Sequence, residues 1–397
     1  MGGKLVRSRK PKICFVGLRS LSVLAPEYGH HGNGGEEVQH ALLARALNKR
    51  GYDVSIIVSD YGQDDGQSWS GVTTYKAYKP DEGIPIVRFV YPRWTKVWSA
   101  LRRANADIYY VSCAGMMLGQ VAMFCRVYQR RLVFRIALNS DCEPDNLPIK
   151  HTRDKWLYRY GLARADTILA QTQHQQERLR KNFGRDSKVA TMLVDEPDDI
   201  KSYSGRDIDM LWVSNLRAIK RPDLAVDLAE TMPHRQFHIV GGRYPTEPRL
   251  YDEISSRAEK LPNVTFHGQV PYSQVHELYD RAKVFVNTSD LEGFPNTYLQ
   301  AWVRGTPVVA LFDPDDIIER KRLGNGVKDL AEMRNMVEQY LQAEHSWHEA
   351  SQRCLQYMRQ EYNPDKILEP YISTFDALMD GKPSGQALKS SAVKVKP

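Results

Sequence analysis

One acid, a run of free amides and a cluster of cations stand at spacings that suit a sugar nucleotide. Residues 289–307 read SDLEGFPNTYLQAWVRGTP and follow the apolar run Val284-Phe285-Val286. The pattern predicts a strand, a tight loop and then a helix. Gly293 lets the chain turn and brings backbone close to a ligand. Asn296 and Thr297 fall where the helix should begin, so unpaired amides and the positive helix end point into the loop. That geometry suits a phosphate. Glu292 does not favour a phosphate, but it accepts hydrogen bonds from hydroxyls beside it. The structural alternative is an ordinary strand-to-helix turn with a polar cap.

A second cluster reads WVSNLRAIKRP over 212–222 and places Arg217, Lys220 and Arg221 directly after a predicted strand. A diphosphate leaving group gains charge as a sugar bond breaks, and Arg and Lys nearby stabilise it. The alternative is a solvated basic loop ahead of a helix that starts at Pro222. Gly32-Asn33-Gly34-Gly35 lies between the first strand and first helix, where glycine amides approach an anion. Its spacing is not that of a dinucleotide fingerprint. Gly241-Gly242-Arg243 closes a further strand, and its backbone can meet the base or sugar of a donor; a plain turn is the alternative. The segment Ala137-Leu138-Asn139-Ser140-Asp141-Cys142 ends another strand. Asn139 and Asp141 are its candidates for a sugar hydroxyl, against a self-bonded turn. His30 and His31 can line an acceptor side.

These loops need a framework, and the alternation of strand and helix predicts α/β domains with parallel sheets. Strands are expected at 12–18, 53–59, 84–90, 107–113, 131–138 and 167–170, with a helix over 36–50 closed by Gly51. The charged stretch 195–199, DEPDD, is the linker candidate. Alternation restarts with strands at 210–214, 237–240, 264–267, 284–287 and 308–312. Helices follow near 331–343, 347–361 and 366–379. The expected division is a Rossmann-like domain over 1–199, a second over 200–361, a helix over 362–380 and a disordered basic tail over 381–397. Two doubly wound domains would face each other across a cleft at the carboxyl ends of their strands.

Composition bounds the class. The 397 residues are 42% apolar, which excludes general disorder and fits two packed domains. No apolar run of about 18 residues predicts a membrane span. Residues 1–12 are basic without an apolar core, so secretion is not expected. The five cysteines lack metal-binding spacing, so no metal site and a reducing, cytoplasmic setting are expected. The net charge of +7 has no nucleic-acid motif beside it, so nucleic acid is not an expected partner.

Glu292-Gly293-Phe294-Pro295-Asn296, then Gln300-Ala301-Trp302, then Gly305-Thr306-Pro307-Val308-Val309 resemble the signature of the family 4 retaining glycosyltransferases of GT-B fold. The family pattern carries two acids separated by seven residues. This chain keeps Glu292 and has Gln300 at the second place, where the family's acid holds the ribose. The family's Lys matches Lys220. Its Arg, five residues earlier, is Asn215 here, and Arg217 is the nearest substitute. A His usual near 137–142 is absent. The resemblance implies transfer of a sugar from a nucleotide-sugar substrate to a hydroxyl on a glycan, polysaccharide or lipid-linked acceptor, with no cofactor or metal. Glu292, Lys220, Arg217 and Asp141 would act on the reacting groups. Gly34, Gly35, Asn215, Gly242, Arg243, Gly293, Phe294, Asn296, Thr297 and Gln300 would bind the donor. The amides near Phe294 and Thr297 would complete a phosphate cradle. A catalytically silent GT-B protein and a GT-B phosphorylase or epimerase are the alternatives.

Residues 91–104, YPRWTKVWSALRRA, read as a basic aromatic helix. Trp94, Val97, Trp98 and Leu101 recur at helical spacing between Arg93, Lys96, Arg102 and Arg103. Such a helix either lies on an anionic membrane surface or packs its apolar face on the core. A membrane contact would place the protein at the inner face of the membrane.

Overall fold

Apolar strands separated by helices close into two parallel sheets. The computed structural model describes residues 9–28, 34–84, 87–244 and 246–380. The first sheet contains β1 (Lys12–Val16), β2 (Asp53–Val58), β3 (Ser68–Trp69), β4 (Val72–Lys76), β5 (Ile108–Ser112), β6 (Arg131–Arg135), β7 (Thr167–Ala170) and β8 (Lys188–Val189). Their spatial order is β3-β4-β2-β1-β5-β6-β7-β8, parallel except at the β3 edge. The second sheet contains β9 (Ile208–Val213), β10 (Phe237–Val240), β11 (Val264–Gly268), β12 (Ala282–Asn287), β13 (Val308–Ala310) and β14 (Gly324–Gly326), ordered β11-β10-β9-β12-β13-β14. The strand order reverses beside β1 and beside β9, so loops diverge there and open a crevice at the strand ends. The result is two Rossmann-like doubly wound domains facing across a cleft.

Both faces of each sheet are covered, which is why the strands read as nearly continuous apolar runs. In β1, Ile13 and Phe15 pack on one side while Cys14 and Val16 pack on the other. The helix Gly35–Lys49 begins where Glu37 reaches back to the Gly34 amide at 2.8 Å. It ends before Gly51, whose φ of 78° suits glycine. The helix Pro364–Met379 starts on a proline and buries Leu368, Tyr371, Phe375 and Leu378 against the first domain's core. Tyr371 donates to the Thr191 carbonyl at 2.8 Å and Tyr52 donates to Asp376 at 3.0 Å, so this helix ties back to the first domain. The tail expected at 381–397 lies outside the described residues.

One expected strand is absent. Residue 84 and residues 87–90 form no strand; the chain turns there and coils through Phe89–Trp94. Pro85, inside the expected range, has no amide hydrogen to give a ladder. The third parallel strand of that flank is instead β4, which leaves the Gly71 turn and pairs with β2. The basic aromatic helix runs over Thr95–Ala104 and buries Val97, Ala100 and Leu101. Trp98 lies edge-on to Phe124 at 5.2 Å, so this helix turns its apolar face to the core rather than outward. Among the described residues, no helix is long and apolar enough to cross a membrane.

Candidate active site

The cleft between the domains encloses about 430 Å³ and takes its walls from the carboxyl ends of both sheets. Two loops of the second domain form one wall. The first leaves β9 through Ser214 and Asn215 to a short turn, Ala218–Lys220. The second leaves β12 and runs through Glu292 to the helix Asn296–Trp302. Hydrogen bonds fasten them together. Thr288 donates to the Lys220 carbonyl at 3.0 Å, and the Asp290 amide donates to the Ile219 carbonyl at 3.0 Å.

That fastening sets Lys220 against Glu292. The Lys220 ammonium and the Glu292 carboxylate form an ion pair, with side chains only 13% and 11% exposed. Ser289 donates to the other Glu292 oxygen at 2.8 Å. A carboxylate held this way keeps its direction. Arg217 lies with its guanidinium 4.7 Å from the Tyr244 ring centre, and its Nε has no hydrogen-bond partner among the described residues. Two cations and one anchored carboxylate therefore share one wall, with Gly242, Asn296 and Thr297 beside them.

Gln300 lies in the same wall but is already engaged. Its amide donates to the Tyr272 hydroxyl at 3.0 Å, and its carbonyl accepts from Arg304 at 3.1 Å. Tyr272 in turn donates to Asp195 at 3.0 Å, and Arg304 pairs with Asp280 at 2.6 Å. The uncharged Gln thus closes a chain between two acids that lie farther out.

The first domain supplies the facing wall through Gly34, Gly35, Glu36, Cys113, Ala137 and Gln171. Contacts cross the cleft at its narrow end. Asn296 donates to the Gly35 carbonyl at 2.8 Å, and the Phe294 amide donates to Gln171 Oε1 at 2.8 Å. A methyl group on Gly293 would lie 2.1 Å from the Ala137 carbonyl. Gly293 is therefore required where the two domains touch, and not only for the approach of a ligand. The Phe294 amide, expected in the phosphate cradle, is spent on Gln171.

Three expected site residues stand elsewhere. Asp141 is 1% exposed and does not line the cleft. Its carboxylate accepts from the amides of Ala137 and Leu138 at 3.0 and 3.1 Å, so it holds its own turn and cannot reach a sugar. Burial pushes its pKa up to about 6 against those two amide bonds. Arg243 is drawn away into a pair with Asp252 and is no part of the cleft wall. Asn139 also points inward, accepting from Gln175 at 3.2 Å. His30, His31, Gly32 and Asn33 lie outside the described residues.

The sequence reading missed Glu36, Cys113, Gln171 and Tyr244. Cys113 and Gln171 each stand within one residue of a strand's carboxyl end, which is a signal that positions alone provide. Glu36 accepts from the Cys113 thiol at 2.9 Å. Loss of water around its carboxyl, and then the neighbouring Glu37 charge, push its pKa up to about 8. Glu37 itself pairs with Arg19 at 2.8 Å.

This arrangement has relatives. Residues 207–343 match the family described as glycosyl transferases group 1, and residues 34–193 match a glycosyl transferase 4-like domain. A stretch of 174 residues is 26% identical to D-inositol 3-phosphate glycosyltransferase of Geodermatophilus obscurus. It covers 38% of this chain and only 38% of that relative's length. In structure, the chain is similar to sucrose-phosphate synthase of Thermosynechococcus elongatus, with a TM-score of 0.73 at 15% identity over 94% of this chain and 100% of the other. It is also similar to Anabaena HepE in complex with UDP-glucose, with a TM-score of 0.69 at 16% identity over 92% and 100%. At such identities the likeness is one of fold, and that fold is the two-domain GT-B arrangement. Both halves of the chain match glycosyltransferase domains, and the protein belongs to the group 1, family 4 glycosyltransferases.

Proposed function

We propose that the protein transfers a sugar from a nucleotide-sugar donor to a hydroxyl on a glycan or lipid-linked acceptor, with retention at the anomeric carbon. The observation that carries this reading is the buried Lys220–Glu292 pair at the mouth of two donor-side loops. The nucleotide lies along the second domain, with its diphosphate against Lys220, Arg217 and the first turn of the helix Asn296–Trp302. Glu292 holds hydroxyls of the transferred sugar. The bond from the anomeric carbon to the diphosphate breaks, and a bond to the acceptor oxygen forms on the same face. The acceptor's proton passes to the departing diphosphate. The protein contributes position and a fixed electrostatic field, and Lys220 and Arg217 neutralise the leaving group. Gln300, held by Tyr272 and Arg304, meets the ribose through neutral hydrogen bonds. The UDP-glucose bound to HepE supports a nucleotide-sugar donor as the class.

A thermal-shift screen of UDP-, GDP- and ADP-sugars tests the donor class, followed by product analysis of the anomeric configuration. The expected result is stabilisation by one nucleotide series and a product with the donor's configuration. Inversion would overturn the retaining mechanism. Binding without release of nucleoside diphosphate, with a range of acceptors, would favour a silent ligand-binding protein.

A further inference from the structure

Ile84, Val87, Val90 and Tyr91 are 68%, 52%, 59% and 59% exposed, although each is a large apolar side chain. They follow one another on the segment that leaves β4, so they form one patch and not scattered singles. The patch continues across to the helix Thr152–Arg164. Arg153 from that helix lies 3.5 Å over the Phe89 ring. Trp156, 57% exposed, follows Arg153 by three residues and so shares its face. Tyr160 stacks on Trp156 at 5.4 Å, and Arg164 covers Tyr160 at 3.9 Å.

The surroundings are basic. Residues 77–104 and 150–164 together carry eleven Lys or Arg against three Asp or Glu. Two of those acids are already neutralised, Glu82 by Lys96 and Asp154 by Arg153. Arg88 stands exposed in the middle of the apolar residues. Large apolar side chains ringed by cations match the two layers of an anionic bilayer surface, acyl boundary and headgroup. A protein partner of ordinary composition would not call for so one-sided a charge.

The placement is also directional. The patch follows the carboxyl end of β4, and Thr152–Arg164 begins in the connection that follows β6, so both stand on the edge of the first sheet that faces the cleft. We infer that this face docks the protein on an anionic membrane through Ile84, Val87, Val90, Tyr91 and Trp156, and that the cleft is thereby offered to a lipid-linked acceptor. Docking stands independently of chemistry; the lipid-linked acceptor rests on the transferase reading. The anchoring residues are not those of the helix Thr95–Ala104, whose Trp98 is engaged with Phe124.

The test is co-sedimentation of the full chain with phosphatidylcholine vesicles containing phosphatidylglycerol, and with phosphatidylcholine alone. The wild type is expected to pellet with the anionic vesicles and to release at high salt. The combined Ile84→Ser, Val87→Ser, Val90→Ser, Tyr91→Ser variant is expected to bind about tenfold more weakly or less, with its melting temperature unchanged because all four side chains are exposed. Arg88→Glu, a single exposed change, is expected to weaken binding in the same direction. Trp98→Ser should do the opposite, lowering the melting temperature while vesicle binding persists. No binding by wild type, or binding by the combined and Arg88→Glu variants as strong as that of wild type, overturns the inference. So does a dimer in light scattering that the combined variant dissolves, since the patch would then be covered by a second copy. Vesicle binding needs no turnover, so a protein that docks but transfers nothing refutes the transferase reading and leaves docking intact.

Discussion

Glu292 and Glu36, one on each wall of the cleft, are held by opposite means. On the donor side, ionised groups meet ionised partners: Lys220 with Glu292, and Arg304 with Asp280. On the facing wall Glu37 also has a cation, Arg19, but at Glu36 burial does the work. Glu36 meets a thiol rather than a cation and is pushed up to about 8. Behind the wall, Asp141 is pushed up to about 6, and His40 is pushed down to about 3 by burial and then by Arg135. Arg135 has no carboxylate partner among the described residues, and its Nε and Nη2 lack hydrogen bonds there. Opposite charges favour the charged form, whereas burial favours the neutral one. The donor-side carboxylate is therefore held by a cation, whereas on the facing wall burial pushes Glu36 towards its neutral form.

The strongest way to break this comparison is at Glu292. Removing one preorganised electrostatic contact costs about a hundred- to a thousandfold in turnover, so Glu292→Ala should fall by that much while the protein stays folded. A rate near wild type would remove Glu292 from the reaction. Next is Lys220→Ala. Loss of a hydrogen bond to a charged group costs about 1.5–3 kcal/mol, so calorimetry with the nucleoside diphosphate should show binding weaker by roughly ten- to a hundredfold. Arg217→Ala should weaken it too; unchanged affinity there would leave Lys220 as the sole phosphate cation.

Asp141 sharpens the other side. Its carboxylate satisfies two buried amides, and an unsatisfied buried group costs about 1–3 kcal/mol. Asp141→Ala should lose that much in a denaturant titration, with transfer by the folded fraction retained. A stable variant with an altered acceptor KM would restore Asp141 to the site. At Glu36 the expected effect is on the pH dependence of stability. Its folded pKa of about 8 lies above the ordinary 4.5, so the folded state holds a proton that the unfolded state has released. That contribution to stability is complete below pH 4.5 and is lost as pH rises through about 8. Glu36→Gln carries no proton to lose, so its stability should fall less than wild type between those limits. Parallel pH curves for the two proteins would show that Glu36 is not perturbed.

The sequence alone determined what depends on neighbours along the chain. Strand-helix alternation announced two doubly wound sheets, because a buried parallel strand needs an apolar run and its crossover a helical period. Glu292 and Lys220 were readable because each follows a strand within a few residues, and strand ends are where a crevice opens. Tertiary structure decided everything that depends on which distant segment arrives. The Phe294 amide is occupied by a side chain 123 residues away, and Asn296 reaches a carbonyl 261 residues away. The same distance in sequence hid why position 293 must be glycine, since the obstacle is the Ala137 carbonyl. Asp141 and Arg243 are instead taken by near neighbours, the amides of Ala137 and Leu138 and the carboxylate of Asp252, and packing decided that Ile84, Val87, Val90 and Tyr91 lie on the surface while Val72–Lys76 takes the strand. A residue's type states which contacts it can make; only the packing of remote segments fixes which of them remain open to a ligand.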